Sequence, residues 1–149
     1  MHCCIKEERI QFAGLFCVLF ALVGLSSGCS EGRPERVAVS GRVTIDGEPL
    51  KFGSVLFVPT NGRVSGGAID EEGHFVLTCY EPEDGVIPGK YQVSVRGTEP
   101  MGEVAQRWHA PMKYAKAETS GIEYDLTEPT ESILIELTWD GKKPFVEKF

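Results

Sequence analysis

After an opening stretch that is apolar almost throughout, the chain turns to short runs in which hydrophobic and polar residues alternate, the period of a half-buried strand. The first is Val37–Ile45, where Val37, Val39, Val43 and Ile45 are spaced by Ser40, Arg42 and Thr44. Asp46-Gly47 follows as a two-residue turn that adopts positive φ easily, and Glu48-Pro49-Leu50 leads away from it. Ser54–Val58, closed by Pro59, is a second strand; beyond the polar loop Thr60–Arg63, Ser65–Ile69 and His74–Tyr80 flank the turn Asp70-Glu71-Glu72-Gly73. Phe75, Leu77 and Cys79 share one face of the later strand. The acidic loop Pro82–Gly89 delivers the chain into Lys90–Arg96, where Tyr91, Val93 and Val95 alternate with polar residues. Gly97–Thr119 breaks the rhythm. Unstructured loops beyond about 12–15 residues are uncommon, so this one is expected to be a packed crossover or a functional loop. Gly121–Leu126 and Ile133–Leu137 complete seven strands, and residues 139–149 form a tail that extends past the last strand or lies along the surface. Short strands, turn signals between them and no amphipathic helix predict an all-β domain, a two-sheet antiparallel sandwich.

The opening stretch is of a different kind. Ile10–Leu25 reads IQFAGLFCVLFALVGL. A spanning helix needs roughly 20 apolar residues and a signal h-region about 7–15, which favours a signal peptide. Next comes Leu25-Ser26-Ser27-Gly28-Cys29, which resembles the lipobox of bacterial lipoproteins, where small residues precede a cysteine that is acylated and becomes the new N-terminus. Serine and glycine suit a segment that must enter a peptidase extended and unhindered. The stretch departs from the usual pattern in having its large aliphatic residue four places before the cysteine, and its n-region carries no net positive charge. The organisation read from this is a signal peptide over 1–28, an acylated Cys29 with a polar Gly- and Pro-containing tether over 29–36, a sandwich over 37–138 and a tail over 139–149. Acyl chains, at about 0.8 kcal/mol per buried CH₂, would hold the domain at a membrane, facing the periplasm or the exterior.

Composition narrows the function classes. The formal charge is −7, and Lys6 and Arg9 offset Glu7 and Glu8, so the exported part carries all of it. An acidic surface repels phosphate backbones, which argues against a nucleic-acid partner. Of five cysteines, Cys3, Cys4 and Cys17 precede the expected cleavage and Cys29 is the acylation site, leaving Cys79 with no internal partner. It is expected to be a buried small hydrophobe on a strand.

Candidate chemistry is sparse. His74 and His109 are the histidines beyond the signal; His74 follows a turn glycine and is expected to face solvent. A zinc site needs three or four ligands, and two histidines and one thiol without close spacing do not supply them. Asp70, Glu71, Glu72, Glu81, Glu83 and Asp84 offer oxygens to a hard cation but lack EF-hand spacing and are expected to be solvated turn carboxylates. Tyr80, Tyr91, Tyr114 and Tyr124 are expected to be core or surface aromatics. The segment that stands out is Arg107-Trp108-His109-Ala110-Pro111-Met112-Lys113-Tyr114. Arg107, Trp108, His109, Met112 and Tyr114 mark a candidate binding loop, since rings with flanking polar groups suit sugars and protein partners; the alternative is that the loop folds back and closes the end of the sandwich. No cofactor and no catalytic residue is expected.

Three stretches, VAVSGRVTIDGEPLKFGSVLFVP, GGAIDEEGHFVLT and IPGKYQVSV, together resemble the carboxypeptidase regulatory-like domain, a transthyretin-like (prealbumin-like) sandwich. APMKYAKAETSGIEYDL is similar to a stretch of short bacterial lipoproteins built on that domain. The resemblance covers nearly all of Val37–Thr138, and its motifs are structural: Gly41 and Gly53 for close backbone approach, Asp46-Gly47 and Glu72-Gly73 for hairpins, and Pro88-Gly89 and Tyr91 for the start of a strand. It implies a non-catalytic envelope module that contacts a protein or a glycan, or an accessory domain that stabilises or targets a separate peptidase or hydrolase. Two related enzyme classes fit poorly. Transthyretin-like hydroxyisourate hydrolases carry paired histidines and a Tyr-Arg-Gly-Ser tail where this chain ends in VEKF, and intradiol dioxygenases carry a His-x-His element absent here. A residual hydrolase reading would rest on His109.

Overall fold

The computed structural model describes residues 32–149. Cys29 and the signal segment lie outside the described residues. Among the described residues the chain is all-β, with its strands in open sheets and not in a barrel. The strands are β1 (Val39–Ile45), β2 (Glu48–Pro49), β3 (Ser54–Pro59), β4 (Ser65–Ala68), β5 (His74–Val76), β6 (Gly89–Arg96), β7 (Thr98–Pro100), β8 (Ala105–Trp108), β9 (Glu123–Leu126), β10 (Thr130–Leu137) and β11 (Phe145–Lys148). A 3₁₀ turn (Met112–Ala115) and a single-turn helix α1 (Ala117–Ser120) lie between β8 and β9.

One sheet is centred on β1, flanked by β10 on one side and by β2 and β5 on the other. The second is ordered β4-β3-β6-β9, and the third β11-β8-β7. Every strand pair is antiparallel except β1–β10, which runs parallel from Val39↔Thr130 to Ile45↔Leu137. Two expectations are thereby corrected: there are three sheets where two were expected, and one pairing is parallel. β9 pairs with β6 in the second sheet, and after Leu126 the short loop carries the chain across to the first sheet. β10 enters there beside the start of β1, and so runs in the same direction.

Alternation places the inward side chains of the first two sheets in one core. Val39, Val43, Ile133, Ile135 and Leu137 of the first face Val55, Phe57, Tyr91, Val93, Val95 and Leu126 of the second. Phe57 is the hub: its ring lies 6.2 Å from Phe75, 6.0 Å from Tyr91 and 5.9 Å from Tyr124. Each such side chain stabilises the fold by about 1.5–3 kcal/mol through removal from water. Two glycines allow the layers and turns to close. A Cβ on Gly41 would lie 2.3 Å from the Ile133 carbonyl oxygen, and Gly53, at φ 127°, sits where a Cβ would meet the Arg96 carbonyl at 2.0 Å.

Asp46 and Gly47 take φ of 50° and 90°, so the expected two-residue turn forms between β1 and β2. The strand expected over His74–Tyr80 is shorter. β5 ends at Val76, Thr78 makes a single bridge to Gly66, and Cys79 lies in a bend, buried as expected but not on a strand. The second difference is 97–119, which holds β7, β8, the 3₁₀ turn and α1. The third is the tail, where Trp139 is buried and Phe145–Lys148 forms β11 on β8.

Candidate functional site

The segment 107–114 is built by a hairpin and a tail strand. β7 and β8 pair from Thr98↔Trp108 to Pro100↔Gln106, and β11 adds from Phe145↔Trp108 to Lys148↔Ala105. Alternation then divides its side chains between two faces. On one, Trp108 is buried, stacks on Phe145 at 6.1 Å with rings 12° apart, and donates its indole N–H to Glu147 Oε2 at 2.9 Å. Gln106 Nε2 donates to the same oxygen at 2.7 Å, and these two donors hold the Glu147 carboxyl below its ordinary range. Towards the other face, His109 Nε2 lies 2.9 Å and Arg107 Nη1 3.6 Å from Glu99 Oε2, while the His109 ring packs on Phe52 at 5.1 Å.

Tyr114 is turned inward. Its hydroxyl accepts the Thr138 backbone N–H at 3.3 Å, and the Lys113 ammonium lies over its ring at 4.7 Å. Lys113 also donates to Asp140 at 2.6 Å, and that bond, first among the causes, raises its pKa. Met112 is half-exposed. The five candidate residues are therefore not one surface: Arg107 and His109 converge on Glu99, Met112 faces solvent, and Trp108 and Tyr114 fasten the hairpin and the 3₁₀ turn to the rest of the domain.

A second cluster is built on a residue that sequence reasoning treated only as a solvated carboxylate. Asp84 accepts backbone N–H bonds from Cys79 at 2.6 Å, Tyr80 at 3.1 Å and Glu81 at 3.0 Å. Arg36 Nε stands 2.8 Å from Asp84 Oδ2, oriented as an ion pair. Burial pushes the Asp84 carboxyl up, but the three N–H donors and Arg36 outweigh it and the net shift is downward. Arg36 and Arg63 both lie over the Tyr80 ring, at 5.4 Å and 4.8 Å, and Arg63 Nε donates to the Cys79 carbonyl. The one sequence signal that could have found it is Asp84-Gly85 in an acidic, proline-containing loop. Gly85, at φ 83°, leaves no room for a Cβ against Val37, and Val37 and Val86 exchange backbone hydrogen bonds.

No protein-family model, no curated protein and no solved structure matches this chain.

The acidic groups weighed as cation ligands are spread over separate turns. Asp70 accepts the N–H groups of Glu72 and His74, and His74 is exposed beside it, with Nδ1 3.7 Å from Asp70 Oδ2. Among the described residues no group of three or more His, Cys, Asp or Glu side chains is placed to hold a metal ion. Tyr91 and Tyr124 have raised pKa values through burial first, with Cys79 and Glu136 respectively adding to it. Their hydroxyls donate to the Ile87 and Leu134 carbonyls, which ties down loop and edge-strand backbone. Among the described residues no helix is long and apolar enough to cross a membrane.

Proposed function

We propose that this chain is a non-catalytic, lipid-anchored module of a bacterial cell envelope, a transthyretin-like β-sandwich of the carboxypeptidase regulatory-like kind that contacts an envelope protein or a glycan. The observation that carries the reading is the order of features along the chain: an apolar run of signal length, the lipobox-like LSSGC ending at Cys29, and a β domain whose first backbone pairing among the described residues is at Val37. Histidine and carboxylate side chains in the domain serve turns and ion pairs, which suits a scaffold.

Membrane fractionation in a bacterial host tests the anchor. The full chain is expected in the membrane fraction, resistant to high salt and released by detergent, whereas Cys29→Ala either stays soluble or keeps its signal segment. Wild-type chain recovered as soluble protein contradicts the reading. Detergent-solubilised protein captured on purified peptidoglycan points to a glycan contact, and one stoichiometric hydrolase recovered with it points to the accessory role.

A further inference from the structure

Asn61 is the chain's one asparagine, and a glycine follows it. The pair lies in the loop between β3 and β4, which is fastened on both sides. Pro59 pairs with Tyr91 at the end of β3, and Arg63 donates to the Cys79 carbonyl and lies over the Tyr80 ring. Between these points Asn61 and Gly62 are exposed. Among the described residues neither the Asn61 carboxamide nor the Gly62 backbone N–H has a hydrogen-bond partner. Gly62 takes φ of 120°, where a residue with a Cβ is strained, and the atom nearest to its missing Cβ is Pro59 Cγ at 3.9 Å. The backbone nitrogen beside the Asn61 side chain is therefore neither crowded nor tied into a ladder.

The comparable groups elsewhere are engaged. Gln92 and Gln106 donate their amides to Glu123 and Glu147. Before the other turn glycines, Asp46 accepts the Trp139 N–H, Asp84 accepts backbone N–H groups and Asp140 accepts from Lys113.

We propose that Asn61 is a site of spontaneous covalent modification in the folded domain, its carboxamide converted to a carboxylate through a cyclic imide. The Gly62 backbone nitrogen gives its proton to solvent base and attacks Asn61 Cγ. A C–N bond closes the imide, and the side-chain nitrogen leaves as ammonia. Water then opens the ring at either carbonyl. Cleavage of the Cγ–N bond leaves aspartate, whereas cleavage between the main-chain carbonyl carbon and nitrogen leaves isoaspartate, with the backbone routed through Cβ. Water is the one co-reactant consumed. The product adds a negative charge to a loop whose shallow cavity is also lined by Arg63 and Lys90, and opposite charge nearby favours the ionised form. The inference does not depend on the anchor.

Timed incubation of the full chain in detergent at mildly alkaline pH tests it, with circular dichroism to show that the chain stays folded. Trypsin then releases peptide 52–63, which contains Asn61 and ends at Arg63. In the folded chain this peptide is expected to gain the mass of an amide-to-acid exchange at a rate close to that of the same sequence as a free synthetic peptide. The rate is expected to rise with pH, and aspartate and isoaspartate are both expected as products. Asn61→Gln, which would need a ring larger by one atom, is expected to lose the conversion over the same period. Conversion of the synthetic peptide with none in the folded chain would overturn the proposal, and aspartate without isoaspartate would overturn the imide route.

Discussion

Phe57 and Ser65 are neighbours across the β3–β4 register, both with no measurable exposure, and they have opposite roles. Phe57 touches three aromatic rings, so Phe57→Ala is expected to lose about 3–5 kcal/mol in chemical denaturation. The Ser65 hydroxyl is buried without a hydrogen-bond partner among the described residues. Its desolvation is uncompensated, so Ser65→Ala is expected to be neutral or stabilising by up to about 1 kcal/mol in the same measurement; a clear loss would reveal a partner for that hydroxyl. Asp84 is the residue whose weight the sequence concealed. Its carboxylate serves three N–H groups, and Asp84→Ala is expected to lose about 1.5–3 kcal/mol. Because its folded pKa is depressed, that contribution is full above the ordinary value of 3.8 and fades as pH falls through the lower folded value. Composition marks such an aspartate only as a polar turn residue, since its partners are backbone groups that no pattern of side chains announces.

At the scale of elements, the strands with strong alternation were legible. β1, β3, β6 and β10 each carry alternating apolar residues, broken in β1 by Gly41 and confined in β10 to Ile133–Leu137, and Asp46-Gly47 announced its turn. The weak elements were not. β7 is Thr-Glu-Pro and β8 is Ala-Gln-Arg-Trp, neither with alternating apolar residues, and β11 borrows its place from pairing with β8. Such strands form because a distant partner satisfies their backbone, a tertiary cause that local propensity does not carry. The bond of Trp108 to Glu147 is the fastening of this sheet, so its state can be read directly. The Trp108 indole N–H resonance is expected to shift with a midpoint below 4.5, the ordinary glutamate value, as the lowered Glu147 carboxyl takes up its proton. The sheet's share of stability is present above that range and lost as pH falls through it. An indole resonance indifferent to pH, or unchanged in Glu147→Gln, would place the fastening elsewhere.

For the whole molecule, fold class and the envelope reading come from different parts of the chain. Alternation after Val37 gave an all-β domain, while the proposed address rests on the apolar run and Cys29, and the candidate loop at 107–114 was legible as a concentration of aromatics but not as a site. Trp108 and Tyr114 are buried while Met112 is exposed, a division that depends on the tail returning to pair with the hairpin. The domain that results is held by a core shared between two sheets and by the polar contacts of Asp84 and Glu147, and its proposed work depends on the proposed acylation of Cys29. Intact-mass analysis of the membrane-fraction protein, wild type against Cys29→Ala, tests that most directly. The account predicts a mature chain that begins at Cys29 and carries acyl mass, absent from the variant. An unmodified chain released to the soluble fraction, or an uncleaved one still carrying residues 1–28, would contradict it.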